Sequence, residues 1–143
     1  MISPDLLQAA VVARLRGDAN VIAAVPESAD GVREAEWHGT AFQYPNVRVH
    51  RPALEARPYG GRCINRVATA GLVVSVHSKR DTSRIAQQLL GIVETALRDT
   101  VLETVALRTT NLMPVSLEPV APNPQNELVW SGRATFRTVV TEL

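Results

Sequence analysis

The sequence of 143 residues is poor in cysteine, in aromatic residues and in long apolar runs. A single cysteine, Cys63, excludes an internal disulfide and a cysteine-based zinc site. Aromatic residues make up only 4 % of the chain, which argues against a base-stacking platform for nucleic acid. No apolar run approaches the roughly 18 residues that cross a bilayer, and Met1-Ile2 leads straight into Ser3-Pro4 without a signal peptide. We therefore expect a protein that is made in a cytoplasm and binds no membrane.

Charge is nearly balanced over the whole chain, at +1, but it is unevenly placed. Residues 1–47 carry three basic and six acidic groups, a net charge of −3, and residues 91–143 carry −2. Residues 48–66 carry five arginines against Glu55, a net charge of +4. This segregation favours contacts between copies of the chain. A lining for a DNA channel and a merely solvated loop are the alternatives for the basic stretch.

Helix signals are clear in two places. Ser3, with Pro4 at the first helical position, predicts a helix of about 13 residues that ends near Gly17. Asp18 is placed to cap a second, shorter helix. The third and clearest helix is predicted over residues 82–98, because apolar residues recur there at helical spacing. Its predicted buried stripe is Ile85, Leu89, Ile92, Val93 and Ala96.

Alternating apolar residues predict four strands. They lie at 46–50, from about Cys63 to Ser78, between Val101 and Leu117, and from Leu128 to the end of the chain. The fold class is therefore α+β in one domain, residues 1–143. We expect a mostly antiparallel four-stranded sheet with a central helix and an N-terminal helix packed on one face. That face should carry Leu72, Val74, Val76, Trp130 and Phe136.

Three segments are predicted to be irregular: 26–45, 51–62 and 119–124. Prolines interrupt all three, and the first two also contain glycines. The first also holds Trp37, Phe42 and Tyr44, half of the aromatic residues, so we expect it to be pinned to the core or to a neighbouring subunit.

Chemistry-bearing motifs are missing. His38, His50 and His77 have no metal-ligand spacing, and no glycine-rich phosphate loop is present. Cys63 has no predicted helix N-terminus beside it that would activate the thiol. Asp81-Thr82-Ser83 fits a helix cap better than a nucleophile turn. We expect no metal, no cofactor and no enzymatic activity.

Three stretches in order give a resemblance to a known family. They are Phe42-Gln43-Tyr44-Pro45-Asn46-Val47-Arg48-Val49, then Gly71–Ser78 running through Lys79-Arg80-Asp81 into the helix, and the terminal Trp130-Ser131-Gly132-Arg133-Ala134-Thr135-Phe136-Arg137. With the N-terminal helix they cover nearly the whole chain. In this order the chain resembles the phage tail-terminator and tail-completion proteins, which close the head-proximal end of a tail tube.

The resemblance implies a virion protein of the tail or neck, assembled in the host cytoplasm. It implies a ring, usually a hexamer, whose partners are further copies, the tail tube protein and the head-side connector. Genome DNA would pass through the lumen without specific binding. A head–tail connector or stopper, or a small-molecule-binding or catalytic α+β domain, are the alternatives. The predicted interface residues are Trp37, Phe42, Tyr44, Arg48, Arg51, Arg57, Arg62 and Arg66.

Overall fold

The computed structural model describes residues 2–25, 28–37, 43–59, 62–79 and 83–143. Helix α1 (Pro4–Arg16) is followed at Gly17 by α2 (Ala19–Ala24). The Asp18 carboxylate caps α2 by accepting from the backbone N–H groups of Asn20 and Val21, at 2.9 and 3.1 Å. A 3₁₀ turn spans Ser28–Gly31, and α3 spans Arg84–Leu97. The three helices predicted from the sequence are therefore confirmed. The predicted Asp81 cap of α3 lies outside the described residues.

The strands of the described ranges are β1 (Val32–Glu34), β2 (Asn46–Val49), β3 (Ala53–Tyr59), β4 (Arg62–Ser78), β5 (Leu107–Thr109), β6 (Met113–Asn123) and β7 (Asn126–Glu142). They form one sheet of order β1-β2-β4-β7-β5, with β3 also beside β4 and β6 also beside β7. Every pairing is antiparallel except that of β1 with β2. The class is α+β, as predicted.

The described sheet has seven strands, whereas the sequence predicted four. The difference arises because the strands that flank the two central ones are each divided into two. Strands β4 and β7, of 17 residues each, lie side by side in the centre. The outer edge of β4 carries β3 along its first half and β2 along its second half. In the same way, β7 carries β6 along its first half and β5 along its second. The four rows correspond to the four predicted strands, and β1 is added to β2.

All three segments predicted to be irregular contain strands. In the segment 26–45, Val32–Glu34 forms β1 and pairs with β2. Residues 53–59, within the predicted loop 51–62, pair with β4 as a hairpin. The proline-bearing segment around Pro119 and Pro122 lies in β6 and pairs with β7. Proline is tolerated there because β6 is an edge strand, where one row of backbone N–H groups needs no partner. Register shifts between Glu118 and Ala121 absorb the irregular spacing.

The core lies between the helices and one face of the sheet. Leu72 is opposite Phe136, and Val74 is opposite Ala134; all four side chains are buried, as expected. On α3 the buried stripe is rotated from the predicted one: Ala86, Leu89, Leu90, Val93, Ala96 and Leu97 are its apolar members, while Ile85 and Ile92 are only half-buried. Trp130 is also only half-buried, because it lies at the last paired position of β4 and β7.

Candidate interaction surface

The helix-free face of the sheet carries the polar residues of the central strands. His77 of β4 is opposite Ser131 of β7, and Ser75 is opposite Arg133. Arg48 of β2 is opposite Ser75 on the other side of β4. Because side chains alternate along a strand, these residues point away from the helices and toward one another.

A chain of hydrogen bonds runs across this face. The Asn123 side-chain N–H donates to Ser131 Oγ (3.2 Å), and Ser131 Oγ lies 2.8 Å from His77 Nδ1. The His77 Nε2 atom is 3.1 Å from Ser75 Oγ, which is 2.9 Å from His50 Nε2. Five side chains from four segments are thereby linked in one row.

Arg48 contributes a nearly buried positive charge at one side of this row. Its Nη1 donates to the carbonyls of Val47 (2.9 Å) and Gly31 (3.3 Å). Its guanidinium carbon lies 5.6 Å from the centre of the Trp37 ring, and that of Arg33 lies 4.7 Å from the same ring. Two cations therefore approach one indole, at distances where cation–π attraction operates.

The imidazoles of this face are held neutral. Burial, as the largest cause, and the neighbouring Arg48, His50 and Arg133 together lower the pKa of His77 to about 4. Burial also lowers the pKa of His50, and the charge of Arg133 adds to this, while the carboxylate of Glu36 opposes it. The positive charge beside this row therefore comes from Arg48 and Arg133, and the two imidazoles add none.

Two adjoining clefts open on this face. The first, of about 320 Å³, is lined by Ala35, Trp37, Tyr44, Arg48, His50, Ser75, His77, Asn123, Gln125, Val129 and Arg133. The second, of about 580 Å³, shares Ser75, His77, Asn123, Gln125 and Arg133 with it and is completed by residues of the β6–β7 hairpin. We call the first the aromatic cleft. None of the described residues that line it is acidic.

Of the predicted interface residues, the structure brings Trp37, Tyr44 and Arg48 together in the aromatic cleft. Arg51 is exposed and follows β2. The positions of Arg57, Arg62 and Arg66 fall on the β3–β4 hairpin, and Arg62 and Arg66 precede Val67, the first β4 residue paired with β7. The arginine stretch is therefore divided between two places. Phe42 lies outside the described residues.

Sequence reasoning did not find the polar row itself. From the sequence, His50 and His77 were predicted not to bind a metal, and no site was predicted at Ser75, Asn123 or Ser131. The usable signal was the alternation of polar residues along the predicted strands, but the partners of each residue depend on the register between strands far apart in sequence.

No group of three or more histidine, cysteine or acidic residues among the described residues could hold a metal ion. Ser75 is buried, and its hydroxyl is committed to the two imidazoles. No helix within the described ranges is both long and apolar enough to cross a membrane. The arrangement is suited to binding an anionic or hydrogen-bonding partner, because its walls supply guanidinium, imidazole and amide groups.

The fold is shared with two solved structures. A chain of the virion of a native gene transfer agent (GTA) particle matches over 94 % of both chains, with a TM-score of 0.76 and 20 % identity. A second chain, whose name describes no function, matches over 100 % of this chain and 97 % of its own, with a TM-score of 0.58 and 15 % identity. No family model and no curated protein matches the sequence. At these identities the likeness establishes a common fold.

Proposed function

We propose that this chain is a structural virion protein of a phage-type particle, without enzymatic activity. The observation that carries the proposal is the fold shared over 94 % of both chains with a chain of a gene transfer agent virion. The resemblance of the sequence to tail-completion proteins points in the same direction. The basic, aromatic cleft is suited to binding, which supports an assembly role.

Within the virion, the proposed place is the junction of tail and head. The chain would form a ring, of six copies by resemblance, that caps the head-proximal end of the tail tube and joins it to the head-side connector. Genome DNA would pass through the lumen with no sequence-specific contact. A head-to-tail ring needs two different patches on every copy, and it closes only if the rotation per step divides the circle.

Deleting the gene and imaging the resulting particles tests this role. If the chain ends the tube, tubes without it should continue to grow and should vary in length, and heads should remain unjoined. Restoring the gene in trans supplies the control. Tubes of normal length beside unjoined heads would favour a connector or stopper instead. Normal, infectious or transfer-competent particles lacking the chain would contradict a structural virion role.

A further inference from the structure

The turn between α3 and β5 is a rigid projection with an apolar tip. The backbone N–H of Thr104 donates to the Leu107 carbonyl (2.8 Å), and the Thr104 hydroxyl accepts from the N–H groups of Ala106 and Leu107, both at 3.2 Å. A bridge between Glu103 and Arg108 closes its base. Val105 stands at the tip with a relative exposure of 102 %. The turn is therefore pre-organised for contact, although it leaves the Val105 side chain in solvent.

The surroundings of this tip are apolar and acidic. Val101 is 41 % exposed, and Leu6, from the start of α1, is 48 % exposed and shares a small cleft with Ala106. The segment 99–105 carries Asp99 and Glu103 and no basic residue, a net charge of −2, with Arg98 and Arg108 on either side of it. Glu103 forms a long, exposed ion pair with Arg108, at 3.8 Å, which a docking partner would replace. We call this segment the acidic turn.

The aromatic cleft is complementary to the acidic turn. Its described walls supply two guanidinium groups, two imidazoles and the rings of Trp37 and Tyr44, and no carboxylate. Arg133 is half-exposed at its rim, and its ion pair with Glu118 is long, at 3.8 Å. An acidic residue followed closely by a valine would meet both a guanidinium and an aromatic wall there.

One copy of the chain cannot fill its own cleft with its own turn. Arg108, at the base of the turn, pairs with Thr141 near the end of β7, whereas Arg133 of the cleft lies eight residues earlier on that strand. At the rise of an extended strand this separation is roughly 26 Å. The two surfaces therefore lie in different parts of the molecule, and a contact between them joins unlike patches of two copies.

We propose that the acidic turn of one copy docks into the aromatic cleft of the next copy, with Val105 against the aromatic wall and Glu103 toward Arg133. This contact would be the one that joins neighbouring copies in the ring, so its place in a ring rests on the proposed function. Because the contact is head-to-tail, each bound pair leaves one free turn and one free cleft, so the contact propagates until a ring closes.

Two variants test the turn and the cleft separately. Val105→Asp breaks the turn at a fully exposed position, so it should fold normally, and Arg133→Glu breaks the cleft at its exposed rim. Matched controls are Val115→Asp, exposed on β6, and Arg137→Glu, exposed on the same face of β7; neither residue lines the cleft. Circular dichroism and thermal melting verify folding, and sedimentation equilibrium at concentrations up to about 1 mM measures association.

The wild type and both controls should associate as concentration rises, and each test variant should remain monomeric. An equimolar mixture of the two test variants should form dimers and stop there. In that mixture the intact turn of Arg133→Glu finds the intact cleft of Val105→Asp, and no other productive pair exists. In addition, Glu103→Arg combined with Arg133→Glu should restore part of the affinity lost by Arg133→Glu alone.

The proposal is overturned if the wild type stays monomeric, if the test variants associate like the controls, or if their mixture forms no dimer. It is also overturned if Arg133→Glu abolishes binding of a short DNA duplex while self-association persists, because the cleft would then bind DNA phosphates and not a second copy. Failure here leaves the virion role intact if the chain is still found in particles by mass spectrometry. Conversely, if the mixture forms dimers but the chain is not found in particles, the contact is supported and the virion role is contradicted.

Discussion

His77 of β4 and Ser131 of β7 lie directly opposite each other, and 2.8 Å separates His77 Nδ1 from Ser131 Oγ. The pair joins the two longest strands on the face that no helix covers. Since Ser75 accepts or donates at the other nitrogen of the same imidazole, both ring nitrogens are engaged. A proton added to this ring makes both nitrogens donors, so both serine hydroxyls must then accept, and the new positive charge lies near Arg48 and Arg133.

Because the fold lowers the pKa of His77, we expect the free energy of unfolding to fall in acid. The pKa of His77 is about 4 in the folded chain and near 6.5 when the ring is exposed, so the unfolded chain binds more protons between these values. This stability is fully present above pH 6.5, falls as the pH drops toward 4, and changes no further below that. We expect a loss of about 1–3 kcal/mol in urea titrations over this window. His77→Gln should flatten the profile, and an equally steep profile in that variant would refute the assignment.

Gly132 is expected to tolerate no side chain. A Cβ built there would lie 2.8 Å from Val120 Cγ2 and 3.2 Å from Leu90 Cδ2, where β6, β7 and α3 meet. Gly132→Ala should therefore cost about 1–3 kcal/mol of unfolding free energy through overpacking. Gly91→Ala is the matched control, because Gly91 is exposed on α3 with nothing within 4 Å of such an atom. The control should gain about 0.5–1 kcal/mol from helix propensity. Equal effects of the two substitutions would contradict this reading of the packing.

Leu89 is expected to be an anchor of α3 on the sheet. Its side chain is only 1 % exposed, so Leu89→Ala should cost about 2–5 kcal/mol in a denaturant titration. Gln88→Ala, one residue earlier on the exposed face, should change stability by less than about 0.5 kcal/mol. A loss well under 1 kcal/mol for Leu89→Ala would show that the stripe is not core.

The arginines of the β3–β4 hairpin give an assembly prediction that is independent of the aromatic cleft. If the hairpin contacts a neighbouring subunit or ring, Arg57→Glu with Arg62→Glu should abolish head–tail joining while the chain still folds. A control of equal charge change is Lys79→Glu with Arg84→Glu, both exposed beside α3. Electron microscopy of particles from complemented deletion strains provides the measurement. If heads and tails join normally in the variant with Arg57→Glu and Arg62→Glu, the hairpin is not part of the interface.

Much of the local structure could be predicted from the sequence. Helix α1 begins at Pro4 and ends just before Gly17, as expected, because a proline suits the first helical position and a glycine suits the end. The long alternations of β4 and β7 were predicted because period-two patterning over 17 residues has no competing helical reading. The interface residues were predicted as one group, and the structure divides them between the cleft and the hairpin.

Residues 53–59 and 119–123 show what the sequence by itself determined and what only the tertiary structure decided. Their prolines and charges are typical of loops, and local preference alone disfavours a strand. They are strands because β4 and β7 continue past them and offer unpaired backbone groups, which an edge strand satisfies even with a proline in it. The aromatic cleft arises in the same way. Trp37, Arg48, His77 and Arg133 are far apart along the chain, and only the pairing register of β2, β4 and β7 sets them side by side. Local patterning determines where helices and long strands form, because those interactions span a few residues, whereas register and edge pairing depend on partners many residues away.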